Sequence, residues 1–178
     1  PVTGVDLAVL LEPVGAIQGA PELGIARIRA SNTWMDGTHN RSEVTGFYGA
    51  RQEIAHAQAF MMDADEPPIL AGQDSAPNPV EHLLHALASC LTTSMVAHAA
   101  VRGIAIEELE SELEGDIDLN GFLGLDANVP KGYTEIRARF RVKADPADVD
   151  RIKALAEFSP VFNTITSGAN VEVTVDLK

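Results

Sequence analysis

The chain has 178 residues, 46% of them apolar, which suits one globular domain with a proper core rather than a disordered polymer. Its net charge of −13, from 26 acidic and 13 basic residues, opposes binding to nucleic-acid phosphates or an anionic lipid surface. A single cysteine, Cys90, excludes an intramolecular disulfide and every multi-cysteine zinc or iron–sulfur site, so any thiol chemistry must centre on it.

Residues 5–17 read as a short amphipathic helix ending around Pro13 or Gly15. Glu12, Pro13 and Gly15 interrupt this apolar stretch, and no other run approaches the roughly 20 unbroken apolar residues a bilayer needs. Asp6 precedes the stretch and no Lys or Arg does, which is not the layout of a secretion signal. The expected location is the cytoplasm, with no membrane partner.

From Leu23 the period changes to two: Ala26, Ile28 and Ala30 alternate with Arg27, Arg29 and Ser31, predicting a strand that runs towards Trp34. Asp36-Gly37 marks a turn, residues 41–48 return as the second arm of a hairpin, and residues 55–62 form a third strand. A loop dense in Pro, Gly, Asp and Ser follows over 63–79. Next, Val80, Leu83, Leu84, Leu87, Cys90, Leu91, Ser94 and Met95 fall at the spacing of one helical face. Asn78 suits the cap of this helix, Pro79 its first position and Gly103 its stop.

Residues 105–119 alternate again, with Glu108, Glu110, Glu112 and Glu114 on one face. After a loop over 120–132, residues 133–143 place Arg137, Arg139, Arg141 and Lys143 on one face and Ile136, Ala138, Phe140 and Val142 on the other. Acidic and basic rows of this kind match across an antiparallel hairpin. A second helix starts after Asp145-Pro146 and runs towards Phe158; Ser159-Pro160 breaks it, residues 160–165 form a further turn, and Val171, Val173 and Val175 predict a closing strand. The order β-β-β-α-β-β-α-β gives an α+β fold, an antiparallel sheet packed around a long central helix.

Few side chains suggest chemistry. Cys90 lies about three turns into its helix, too deep for the helix dipole to activate it, so it either packs as a small hydrophobe or needs a cation brought from elsewhere. Glu81, His82 and His85 fit neither common zinc-helix motif, and no metal or cofactor is expected. Ser94, Ser159 and Ser167 lack a nucleophile-elbow context.

The segments NPVEHLLHALASC (78–90) and FSPVFNTITSGANVEVTV (158–175) resemble the OsmC/Ohr superfamily, and the similarity spans about residues 24–178. The resemblance implies an OsmC-like domain over 23–178 behind an N-terminal helical extension, 1–22, and an intertwined homodimer. It further implies thiol-dependent reduction of organic hydroperoxides in oxidative or osmotic stress, with Cys90 as the peroxidatic nucleophile. In that chemistry an arginine held by a glutamate stabilises the thiolate; Arg41 is the first choice here, with Arg51 behind it. The family glutamate falls at Val80, so Glu81 is the nearest substitute. The second family cysteine falls at Ser159, which leaves resolution to an external thiol. The rival expectation is a non-catalytic dimer of the same fold that binds an apolar small molecule or a protein partner, with Cys90 structural.

Overall fold

A computed structural model describes residues 3–178; the first two positions of the predicted extension lie outside it. By internal contacts the chain divides into two compact units, residues 6–83 and, with the first few residues, 84–178.

The first unit opens with helix α1, Leu7–Gly19, capped by Asp6 Oδ1, which accepts from the Ala8 and Val9 N–H groups. The helix continues past Pro13, where the sequence predicts an end. Pro13 removes one N–H from the ladder without stopping the helix. No residue of α1 is buried.

Strands β1 (Arg27–Ile28) and β2 (Ser31–Asp36) both pair antiparallel with β3 (His39–Gly49), and β4 (Gln52–Ala64) pairs with the other edge of β3. The predicted third strand is therefore real and several residues longer than its sequence marking. The turn at Gly37 has φ +55°, a conformation glycine adopts without cost. The β3–β4 turn is made by Ala50 and Arg51, both with positive φ, 48° and 62°. That is the twist a two-residue hairpin loop demands, here without the usual Asn-Gly.

The loop after β4 is organised by one carboxylate. Asp65, 2% exposed, accepts at Oδ1 from Thr38 Oγ1 (2.7 Å) and the Glu66 N–H (2.8 Å). Its Oδ2 accepts from the Gln73 N–H (3.2 Å), the Ser75 N–H (3.1 Å) and Ser75 Oγ (2.8 Å). These bonds hold the carboxyl far below the usual carboxylate range, the Thr38 and Ser75 hydroxyls contributing most. Gly72 packs so closely on the Glu66 carbonyl that a Cβ would sit 1.7 Å from its oxygen.

Helix α2, Pro79–Val101, begins in this unit and ends in the next. It starts with a reciprocal cap: the Asn78 N–H donates to Glu81 Oε1 (3.1 Å) and the Glu81 N–H to Asn78 Oδ1 (2.8 Å). Among the described residues this is the one helix long and apolar enough, by length and mean composition, to cross a membrane, although it holds no unbroken apolar run. Its small residues escape an unbroken-run count, yet they leave the average apolar; the second half of the helix is used as core.

In the second unit, β5 (Ile106–Ile117) and β6 (Tyr133–Ala144) form the expected hairpin, with Glu108, Glu110, Glu112 and Glu114 opposite Lys143, Arg141, Arg139 and Arg137. Their apolar faces meet Met95, Ala99, Ile104, Ile152 and Leu155 in the hydrophobic core. The loop between them opens with a four-residue helix, α3 (Leu119–Phe122). The second predicted helix is divided into α4 (Val149–Ala154), a 3-10 turn (Leu155–Phe158) and α5 (Pro160–Ser167), so the predicted turn at 160–165 is helical.

The closing strand is not formed. Val171, Val173 and Val175 are 80%, 79% and 92% exposed, and the segment pairs with no other strand. Alternation records a capacity to pair, and among the described residues no strand edge takes it up.

Two outcomes test this description. Ile104 is 1% exposed in the core, so Ile104→Ala costs about 3 kcal/mol in chemical denaturation. Asp65 titrates lower when folded than its unfolded value of about 4, so its contribution is complete above that pH and is lost as pH falls below it. Thermal melts between pH 3 and 7 should show that loss, and Asp65→Asn should flatten it.

Candidate functional site

Cys90 lies in the middle of α2, half-buried, and its Sγ has no hydrogen-bond partner among the described residues. It is the one free thiol. Its neighbours on the helix, Leu87 and Leu91, are buried.

Leu87, Leu91 and Met95 line an open apolar pocket of about 590 Å³, whose other walls come from β5, β6, α4 and α5 through residues such as Phe140, Ile152 and Phe162. The volume suits a small organic molecule. Cys90 does not line it. The apolar helix face that sequence spacing assigns to the thiol is thus shared: the leucines face the cavity and the sulfur sits to one side.

Arg41, on β3, is 40% exposed and held by Asp63 on β4. Arg41 Nε donates to Asp63 Oδ1 (2.6 Å) and Nη2 to Oδ2 (2.8 Å). The two residues face one another in the β3–β4 register. His39 lies two residues earlier, on the same face of β3. Its Nε2 is 2.9 Å from Asp63 Oδ2, and the carboxylate accepts. The Asp63 carbonyl in turn accepts from His82 Nε2 of α2, at 2.9 Å. Together the Arg41 and His39 bonds hold the Asp63 carboxyl far below the ordinary range.

The other candidates are engaged elsewhere. Arg51 pairs with Glu22 at 2.6 Å on an exposed surface. Glu81 closes the N-terminus of α2 through Asn78. Sequence reasoning misses Asp63, because its partner lies 22 residues away and only strand register joins them. Among the described residues, no group of three or more His, Cys, Asp or Glu is arranged to hold a metal ion.

Ser159, at the position of the second family cysteine, is fully buried and caps α5: its Oγ accepts from the Phe162 N–H at 3.1 Å. Asn163 Nδ2 fixes the same corner by donating to the Glu157 and Ser159 carbonyls, both at 2.8 Å. Ser159 is a helix cap with no free face. Nearby, the His98 ring stacks on Phe158 at 4.1 Å, and the Arg102 guanidinium lies over the same Phe158 ring at 5.2 Å with its Nη1 3.1 Å from His98 Nδ1. Burial, and then the Arg102 charge, pushes the His98 pKa down.

The model of the family described as OsmC-like protein matches residues 72–174. No curated protein matches the sequence. Among solved structures, a putative osmotic stress induced and detoxification response protein from Psychrobacter arcticus is similar at 17% identity and TM-score 0.58, over 78% of this chain and 88% of that one. An OsmC-like protein from Mycoplasma pneumoniae gives 17% identity and TM-score 0.58 over 79% and 87%. An organic hydroperoxide resistance protein from Legionella pneumophila gives 17% and 0.53 over 79% and 90%. At these identities the likeness is one of fold, and it agrees with the α+β architecture described above.

Ser159→Ala should cost about 1 kcal/mol, the usual price of a lost serine cap, and should leave the alkylation rate of Cys90 unchanged.

Proposed function

We propose, from the premise that this chain belongs to the OsmC-like family, that it reduces organic hydroperoxides through Cys90 and an external thiol as part of a stress response in the cytoplasm. The carrying observation is that Cys90, inside the matched region, is half-exposed on the central helix rather than buried with Leu87 and Leu91. The hydroperoxide resistance protein of similar fold supports the same substrate class.

In the proposed cycle the Cys90 thiolate attacks the terminal peroxide oxygen, the O–O bond breaks, and the alkoxide leaves as an alcohol after taking a proton. The sulfur is left as a sulfenic acid. Ser159 offers no thiol, so a first external thiol condenses with the sulfenic acid, releasing water and forming a mixed disulfide. A second external thiol then frees Cys90. Arg41 is the cation assigned to the thiolate.

The working form is a homodimer. In residues 6–83 only Gly49 and Asp65 are buried, and no apolar side chain is. Ile28, Trp34 and Met61 are 75%, 70% and 56% exposed. A small sheet without a covered face is not stable in water, and a second copy supplies the missing cover. Residues 1–22 form an extension ahead of the OsmC-like domain, 23–178.

One observation favours a second reading. The cavity beside Leu87 and Leu91 is apolar, and Cys90 does not line it, which suits a non-catalytic dimer that binds an apolar small molecule.

Exposure of reduced protein to tert-butyl hydroperoxide with excess dimedone separates the readings. Rapid one-to-one trapping on Cys90, abolished in Cys90→Ser, is expected for the peroxidase; an untouched thiol in an intact dimer selects the ligand-binding reading. The dimer is checked independently by melting at several protein concentrations. The midpoint should rise with concentration, as folding is linked to association.

A further inference from the structure

We infer that the pocket between α2, the β5–β6 hairpin and α4–α5 takes an aliphatic chain bearing one anionic head group, the chain against Leu87 and Leu91 and the head on Lys153. The inference rests on the reading in which this pocket binds an apolar molecule, and adds the charge that the molecule carries.

The walls of the pocket are hydrocarbon. Helix α2 presents Leu87 and Leu91, both buried and one turn apart, and α5 presents Phe162 and Ile165 at helical spacing. Thr166, on the same face of α5, donates its hydroxyl to the Phe162 carbonyl at 2.8 Å. A polar group placed against such walls would go unpaired, so they select an apolar chain.

The charge around the pocket runs against that of the whole chain. The sequence has 26 acidic residues and 13 basic ones, yet among the described residues the charged groups that line the pocket are Arg139 and Lys153. Lys153 shares its face of α4 with Val149, one turn earlier, and is exposed. Neither cation makes an ion pair among the described residues. By contrast, Arg137, Arg141 and Lys143 on the same row of β6, and Arg151 on α4, are all paired. Glu112 stands opposite Arg139 in register, but its carboxylate reaches Arg141 at 3.0 Å. An ammonium at the rim of an apolar pocket, its stem on the wall and no carboxylate beside it, complements a ligand with one anionic head. Arg139 adds a second positive charge to the same wall.

Calorimetric titration of the intact protein with decanoate, decanol and decyltrimethylammonium, each below its micelle concentration, tests this. Decanoate should bind about tenfold more tightly than decanol and the cation most weakly, and the advantage of decanoate should shrink with added salt. Lys153→Met keeps the apolar stem; it should weaken decanoate about tenfold and leave decanol unchanged. Methyl resonances of Leu87, Ile152 and Ile165 should shift on binding, and Cys90→Ser should bind decanoate as the wild type does. Equal affinity for decanoate and decanol, or a Lys153→Met protein that holds decanoate as tightly as the wild type, overturns the inference and leaves the apolar-ligand reading standing. A folded protein that binds none of the three overturns both, the pocket then being covered by a second copy or by the chain's own end.

Discussion

A 23-residue helix with one carboxylate and almost no other charge has to be covered, and the second unit exists to cover half of it. Met95 and Ala99 on α2 meet the apolar face of the β5–β6 hairpin and the underside of α4. The opposite face of that hairpin can be strongly charged because strand side chains alternate. Its glutamates stand opposite arginines and a lysine, which sets register as well as solubility. One like-charged pair, Asp116 opposite Glu135, is bridged by Arg137, which reaches Asp116 at 2.7 Å and Glu135 at 3.5 Å. The beginning of the helix has a different support, a reciprocal Asn78–Glu81 cap placed just after a loop gathered around Asp65.

These arrangements differ in how far a sequence can announce them. The β5–β6 pairing is legible because its signal is repeated at every second residue on both strands. The long helix is legible for the same reason, through its three- and four-residue spacing. Glu81 shows why a site is harder to read: by position it suits an orienting carboxylate, but the local geometry of a helix start claims it first. The carboxylate that does meet Arg41 is Asp63, visible only once β3 and β4 are in register. Asp65 is equally hidden, since its donors come from Thr38, Glu66, Gln73 and Ser75, which no periodicity joins. Ser159 reads from sequence as a missing cysteine; in the fold it is a positive choice, a buried hydroxyl doing what a thiol does poorly as an acceptor.

The two carboxylates of the 63–65 stretch differ in what holds them and in how much they leave exposed. Asp65 turns inward and is fully saturated by donors, so it fixes a loop and has nothing left to offer a ligand. Asp63 is partly exposed and shares itself between Arg41 and His39. The strand ends at Ala64, between the two, so the chain is free to turn Asp65 into its loop.

The segment after α5, unpaired among the described residues, leaves a row of valines open. From Val171 to Leu177 apolar residues alternate with Glu172, Thr174 and Asp176, and the four apolar side chains are almost wholly exposed. That is the form that seeds edge-to-edge aggregation. Any strand that paired with this segment would remove the open edge and cover its valines at the same time.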